Sequence, residues 1–153
     1  MAPFHIRPIP RRALDDVRAR GVDVSGTPIV RLAAKGGEPL RCCLRNARAG
    51  EPLLLFGYEP PIGKGPYREI GAVFACAGAC TGPASDSRYP SDWIGKPQVL
   101  RAYDARGWIH DALVHDGREP ERAIDRLLGD PEVAQLHSRN VAYGCFMFVV
   151  TKA

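Results

Sequence analysis

Glycine and proline punctuate this chain more insistently than anything else in it, 16 Gly and 14 Pro among 153 residues. Their clusters bound a series of short β-prone stretches, which points to short strands with tight links. Those stretches are 28–34 (PIVRLAA), 39–46 (PLRCCLRN), 52–58 (PLLLFGY), 70–77 (IGAVFACA), 98–104 (QVLRAYD), 107–114 (GWIHDALV), 133–139 (VAQLHSR) and 142–150 (AYGCFMFVV). Ala105 and Arg106 read as a hairpin turn, and 70–77, apolar on both faces, reads as a central strand. Two segments carry helical spacing instead. Residues 10–20 place Ala13, Leu14 and Val17 on one face between Pro10 and Gly21, and Glu119–Pro120–Glu121 opens a helix whose stripe is Ile124, Leu127 and Leu128, stopped by Gly129 and Pro131. The expectation is a single α+β domain, a mainly antiparallel sheet of about seven strands with two helices.

Two irregular segments interrupt this pattern, 59–69 and 78–97. The second is long for a loop in a compact domain, and such loops tend to serve as lids or binding segments. It carries Cys80, Arg88, Tyr89 and Trp93, so a site is expected there.

Charge and cysteine usage narrow the function classes. The 21 Lys+Arg against 17 Asp+Glu leave +4, and 17 of the basic residues are Arg, a bias that a GC-rich genome accounts for. Residues 1–50 hold 10 basic and 4 acidic side chains but one aromatic, Phe4, and no helix-turn-helix or finger spacing, which argues against nucleic-acid binding. No apolar run reaches about 18 residues, so no membrane span is expected, and the start lacks the apolar core of an export signal. A cytoplasmic location with its 5 cysteines as free thiols follows as the expectation. Cys42 and Cys43 are adjacent, and strand alternation would turn them to opposite faces.

PLRCCLRNARAGE (39–51), VFACAGACTGP (73–83), LRAYDARG (100–107) and DPEVAQLHSRNVAYGCFMFVV (130–150) together resemble a bacterial family known as domain of unknown function 1203. The pieces occur in order across nearly the whole chain. The resemblance implies a short single-domain bacterial protein and no particular activity. Cys76 stands where many relatives are expected to carry His, and a thiol can replace imidazole as a soft metal ligand.

Candidate chemistry gathers in the last strand pair. With a three-residue turn at 140–142, Arg139 would lie opposite Tyr143 and His137 opposite Cys145, four chemistry-bearing side chains on one face. A thiol beside His or Arg gains thiolate character, so His137 and Cys145, with Cys80 of the long loop, are the candidate catalytic residues. A two-residue turn would separate them, and both would then be ordinary sheet residues. Arg41 and Arg101 sit in apolar strand contexts, where an inward cation needs a partner. That partner is either a structural acid (Asp104, Asp111 or Glu51) or a small anionic ligand bound by Arg41, Arg101 and Arg139 with Tyr103 and Tyr143.

Cys76-x3-Cys80 and His110-x4-His115 fit a loose zinc template, but alternation sends the two histidines to opposite faces and 29 residues separate the pairs. No metal ligand and no cofactor is therefore assigned from the sequence. GKGP at 63–66 lacks the P-loop order, and no G-x-S-x-G, HExxH or GxGxxG occurs. Two classes of function stay open: a protein that binds or transforms a small anion, and a protein–protein module whose Arg and Cys are structural.

Overall fold

The computed structural model describes residues 2–153. Its strands are β1 (Phe4–Arg7), β2 (Val30–Ala33), β3 (Pro39–Leu40), β4 (Arg45–Asn46), β5 (Pro52–Tyr58), β6 (Gly71–Cys76), β7 (Gln98–Tyr103), β8 (Ile109–His115), β9 (Gln135–Asn140) and β10 (Phe146–Lys152). The helices are α1 (Arg11–Arg20) and α2 (Pro120–Leu128), and a 3₁₀ turn spans Ser91–Trp93. The strands form two five-stranded sheets, ordered β1-β10-β9-β7-β8 and β2-β5-β6-β3-β4. Every pairing is antiparallel except the short one between β3 and β6.

The α+β class and the two helices match the sequence expectation, and β6 takes the middle of its sheet. Among the described residues the strands number ten in two sheets, where a single sheet of about seven was expected. β1 was unmarked because four residues, FHIR, are too few to show a period. The stretch 39–46 is not one strand either. Its middle is a turn at 41–44 in which Leu44 takes φ 54°, a left-handed conformation that no strand contains.

The helices behave as their residues dictate. Leu14 and Val17 of α1 are buried, and Gly21 closes the helix at φ 69° with its N–H on the Val17 carbonyl. In α2, Pro120 occupies the first turn, where its missing N–H costs nothing, and Ile124, Leu127 and Leu128 are buried.

There are two apolar cores, and β10 contributes to both. Met147, Phe148 and Val150 join Leu100, Leu136, the α2 stripe, Tyr89 and Trp93. Phe146 and Val149 join Leu14, Val17, Leu53, Leu54 and the Cys42–Cys43 turn. Strand alternation sends Val149 and Val150 to opposite cores, and the bulge between Phe146 and Phe148 is what lets the successive Met147 and Phe148 join the same one.

Candidate functional site

Three separate pieces of chain converge at one end of the second sheet. Cys42 and Cys43 come from the 41–44 turn, Cys76 ends β6, and Cys80 follows four residues later. Because 41–44 is a turn, the adjacent Cys42 and Cys43 side chains do not diverge as strand alternation predicted. Their Sγ atoms are 3.8 Å apart, and Cys43 Sγ lies 3.9 Å from Cys76 Sγ. All four sulfurs lie within 4.8 Å of one another, and no disulfide joins them. The Cys76 N–H donates to Cys42 Sγ at 3.3 Å. Hydrogen bonds from the Cys42 and Cys43 thiols hold the Cys76 thiol well below its usual range, to about 4, while Cys43 is pushed up, first by its hydrogen bond with Cys42. Arg18 donates to the Cys76 and Gly78 carbonyls at 2.9 and 2.8 Å, pinning the chain between Cys76 and Cys80 to α1.

A concave surface opens on each side of the cluster. A cleft of about 240 Å³ is lined by Arg11, Arg18, Cys42 and Cys80, and a groove of about 660 Å³ by Cys43, Arg45, Arg48, Cys80, Arg88 and Asp92. Arg45 is held by a two-pronged bond to Glu51, both contacts 2.8 Å, and its guanidinium holds the Glu51 carboxyl down to about 2. Arg48 and Arg88 are exposed and make no ion pair with a carboxylate among the described residues. Asp92, the acid of the groove wall, accepts from the Asn46 N–H at 2.9 Å.

The long segment 78–97 forms one wall of this groove. Trp93, 2% exposed, stacks on Phe148 with ring centroids 5.9 Å apart and donates from Nε1 to Asn46 Oδ1 at 2.8 Å. Further back, the Gly95 N–H donates to the Gly117 carbonyl at 2.7 Å. These contacts hold the Trp93–Gly95 end of the segment in place.

The second cluster lies on the face of β7 and β9 opposite the α2 core. Pairing sets Arg101 beside His137 and Tyr103 beside Gln135, so Arg101, Tyr103, His137 and Arg139 share a face. The turn after β9 is five residues long, with the Asn140 N–H on the Cys145 carbonyl. Arg139 consequently faces Phe146 and His137 faces Val149, not Tyr143 and Cys145 as a three-residue turn required. Tyr143 is 86% exposed in that turn, and Cys145 Sγ contacts the Tyr143 carbonyl at 3.7 Å.

The cations of this cluster meet protein groups, while His137 Nδ1 and Arg139 Nε are buried without a hydrogen-bond partner among the described residues. Glu69, from segment 59–69, pairs with Arg139 and, at 3.6 Å, with Arg101. Arg139 also donates to the Gly144 carbonyl at 2.6 Å. Arg41, 2% exposed, donates to the Phe146 and Pro39 carbonyls at 2.7 and 2.6 Å, and burial lowers its pKa to about 10 against the charge of Cys145. The acid that meets Arg101 and Arg139 is thus Glu69, not Asp104, Asp111 or Glu51, while Arg41 is held by backbone carbonyls. Asp104 holds Arg106, and Glu51 holds Arg45.

His137 is fully buried, its ring 4.6 Å from that of Tyr103 and 5.4 Å from that of Phe146. Burial, followed by the charge of Arg101, lowers its pKa to about 4. An unfolded histidine binds its proton near pH 6.5, so between there and pH 4 the unfolded chain binds more protons than the native one. The stabilisation is complete above pH 6.5 and is lost as the pH falls through about 4, a contribution of about 3 kcal/mol from this residue. His115 acts in the same direction, and His110, raised by its bond to Asp130, acts in the opposite one. Denaturant melts from pH 7 to 4 are expected to show a flatter decline for His137→Phe than for the wild type. Equal slopes would contradict the assignment.

A family model described as a protein of unknown function (DUF1203) matches residues 37–152. The chain belongs to the DUF1203 family. No curated protein and no solved structure matches it. The DUF1203 match takes in all four clustered cysteines, segment 78–97 and the Arg101–His137–Arg139 face, and it leaves α1, with Arg11 and Arg18, outside.

Several site residues of this DUF1203 chain escaped sequence reasoning. The Cys76-x3-Cys80 spacing was visible, but its partners are Cys42 and Cys43. His110 bonds Asp130 at 2.9 Å, and His115 Nδ1 accepts from the Gly117 N–H at 3.0 Å, so both histidines are engaged elsewhere. Arg48 carries no distinguishing pattern among 17 arginines, the positive charge of residues 1–50 being its one signal, whereas Arg88 was marked by its place in the long segment 78–97.

Proposed function

We propose that this protein binds a small anionic molecule in the groove walled by segment 78–97, with Arg48 and Arg88 as its cationic contacts. The observation that carries this reading is the 660 Å³ concavity in which both guanidinium groups lack a carboxylate partner among the described residues. Such groups match carboxylate and phosphate oxygens in pairs. Arg45, already forked onto Glu51, adds positive potential and fixes the 41–48 wall. Cys80 borders the groove and stays in the proposal as a contact residue.

The Arg41, Arg101, Arg139 and His137 cluster is the less favourable place for the ligand. Its cations already meet Glu69 or backbone carbonyls, and an incoming anion would have to displace them. Those residues, with Tyr103, Cys145 and Tyr143, are therefore read as supporting the sheet and the turn after β9.

Isothermal titration with inorganic phosphate and a small dicarboxylate tests the groove. Binding of at least one is expected, weakened at least about tenfold in Arg48→Ala/Arg88→Ala, corresponding to 1.4 kcal/mol or more. The same loss in Arg101→Ala with Arg48 and Arg88 intact would move the site to the sheet, and the absence of any binding would remove the proposal.

A further inference from the structure

The four converging thiols have a use that the anion groove does not require. We propose that Cys42, Cys43, Cys76 and Cys80 form a closed tetrahedral binding site for one Zn²⁺ ion.

The spacing of the sulfurs carries the argument. A Zn–S bond of about 2.3 Å in a regular tetrahedron sets the sulfurs about 3.8 Å apart. The Cys42–Cys43 and Cys43–Cys76 separations are 3.8 and 3.9 Å, and no pair of the four exceeds 4.8 Å. Shifts of about an ångström in one side chain, most readily Cys80 on its loop, would close the set. A disulfide between the adjacent Cys42 and Cys43 would have to rearrange the 41–44 turn to bring its sulfurs to about 2.05 Å.

The local backbone is arranged for such a centre. Two successive residues can reach one ion only if the chain leaves the extended conformation, and the 41–44 turn, with Leu44 at φ 54°, does that. Arg41 fastens the turn through the Pro39 and Phe146 carbonyls. The Cys76 N–H aimed at Cys42 Sγ supplies the kind of outer hydrogen bond that stabilises a metal-bound thiolate.

Charge also fits. Four thiolates and Zn²⁺ sum to −2, and the protons that the thiols still carry pass to solvent on binding. Arg45 lies close enough to Cys43 and Cys76 for its charge to be felt there, and Arg18 and Arg11 contact the carbonyls of Cys76 and Cys80 at 2.9 and 3.5 Å. Cys42 and Cys43 belong to the apolar core, and Cys76 and Cys80 pack against it, so the sulfurs are largely withdrawn from water. The four ligands leave no open position, which makes the centre structural. It would clamp the β3–β4 turn to the start of segment 78–97.

The test is made on the full-length, untagged protein purified under reducing conditions. Elemental analysis is expected to give about one zinc per chain. Co²⁺ added to the metal-free, reduced protein is expected to develop thiolate charge-transfer and tetrahedral ligand-field bands that saturate at one equivalent. Cys76→Ser should lose that saturation, and Cys145→Ser, which removes the one thiol outside the cluster, should keep it. Zn²⁺ should also raise the Tm of the wild-type apoprotein, a readout that survives if Cys76→Ser fails to fold. Wild-type apoprotein that develops no thiolate bands with Co²⁺, or Cys76→Ser bands equal to wild type, would overturn the site. Stoichiometric iron in place of zinc would overturn the choice of metal. Phosphate titrations of the loaded and metal-free protein keep this result separate from that of the groove.

Discussion

Trp93→Ala is expected to destabilise the protein by about 3–5 kcal/mol, the range for removing a fully buried large aromatic side chain. Trp93 is the largest of the fully buried side chains, and its loss would leave a void against Phe148, whose ring lies parallel to it. Its Nε1–H bond to Asn46 Oδ1 would be lost at the same time, leaving the amide oxygen without that donor. Trp93→Phe separates the two effects, because it keeps a ring on Phe148 and removes the bond; its cost is expected to be about 1–2 kcal/mol. Urea denaturation followed by circular dichroism measures both. A Trp93→Ala penalty below that of Trp93→Phe would show that the packing account is wrong. Since Trp93 anchors the wall of the groove, Trp93→Ala should also weaken anion binding at temperatures where the fold persists.

Gly117→Ala is expected to be nearly as damaging although it adds a single methyl group. Gly117 has φ 83°, and a Cβ there would lie 2.2 Å from the Lys96 carbonyl oxygen and 2.4 Å from the Lys96 nitrogen. Both are backbone atoms, so no side-chain rotation relieves the contact. Left-handed strain of about 1–3 kcal/mol and a similar overpacking term lead to a loss of about 3 kcal/mol or more, or about 10 °C in Tm. The clash would push Lys96 away and break the Gly95–Gly117 hydrogen bond, loosening the end of segment 78–97 that Trp93 does not hold. Gly63→Ala, also at positive φ but with open space around its Cβ, serves as the comparison and should lose only the smaller strain term. Equal melting temperatures for the two variants would contradict the packing argument.

The sequence showed the elements best where one physical signal acted alone. β5 and β6 are apolar runs between turn residues, and α2 has its proline, its stripe and its terminal glycine in the expected places. Reading became unreliable where distant contacts decide. PLRCCLRN has the composition of a strand, yet Arg41, reaching the carbonyl of Phe146 far along the chain, helps hold its middle as a turn. The register of β9 and β10 depended on the length of a turn whose residues, VAYGC, specify no tight hairpin type.

The site was legible to a similar degree. Segment 78–97, Cys80 and Arg88 stood out because long irregular segments are uncommon in compact domains. Arg41 and Arg101 were visible as cations in apolar strands, but neither the backbone carbonyls that hold Arg41 nor Glu69, the partner of Arg101 and Arg139, was visible, since nothing local links segment 59–69 to β7 and β9. The four-thiol cluster was hidden for the same reason: it is assembled by the parallel β3–β6 contact, a pairing between segments more than thirty residues apart.

Mapping anion binding by NMR tests the central claim, that the functional surface is the groove and not the Arg–His face of the sheet. Isotope-labelled protein would be titrated with inorganic phosphate and with the dicarboxylate, following backbone amides and arginine Nε–H signals together. The account predicts perturbations confined to residues 43–48 and 80–92 and to the Arg48 and Arg88 side chains, abolished in Arg48→Ala/Arg88→Ala. Perturbations centred instead on Arg101, His137 and Arg139, and unchanged in that variant, would contradict it.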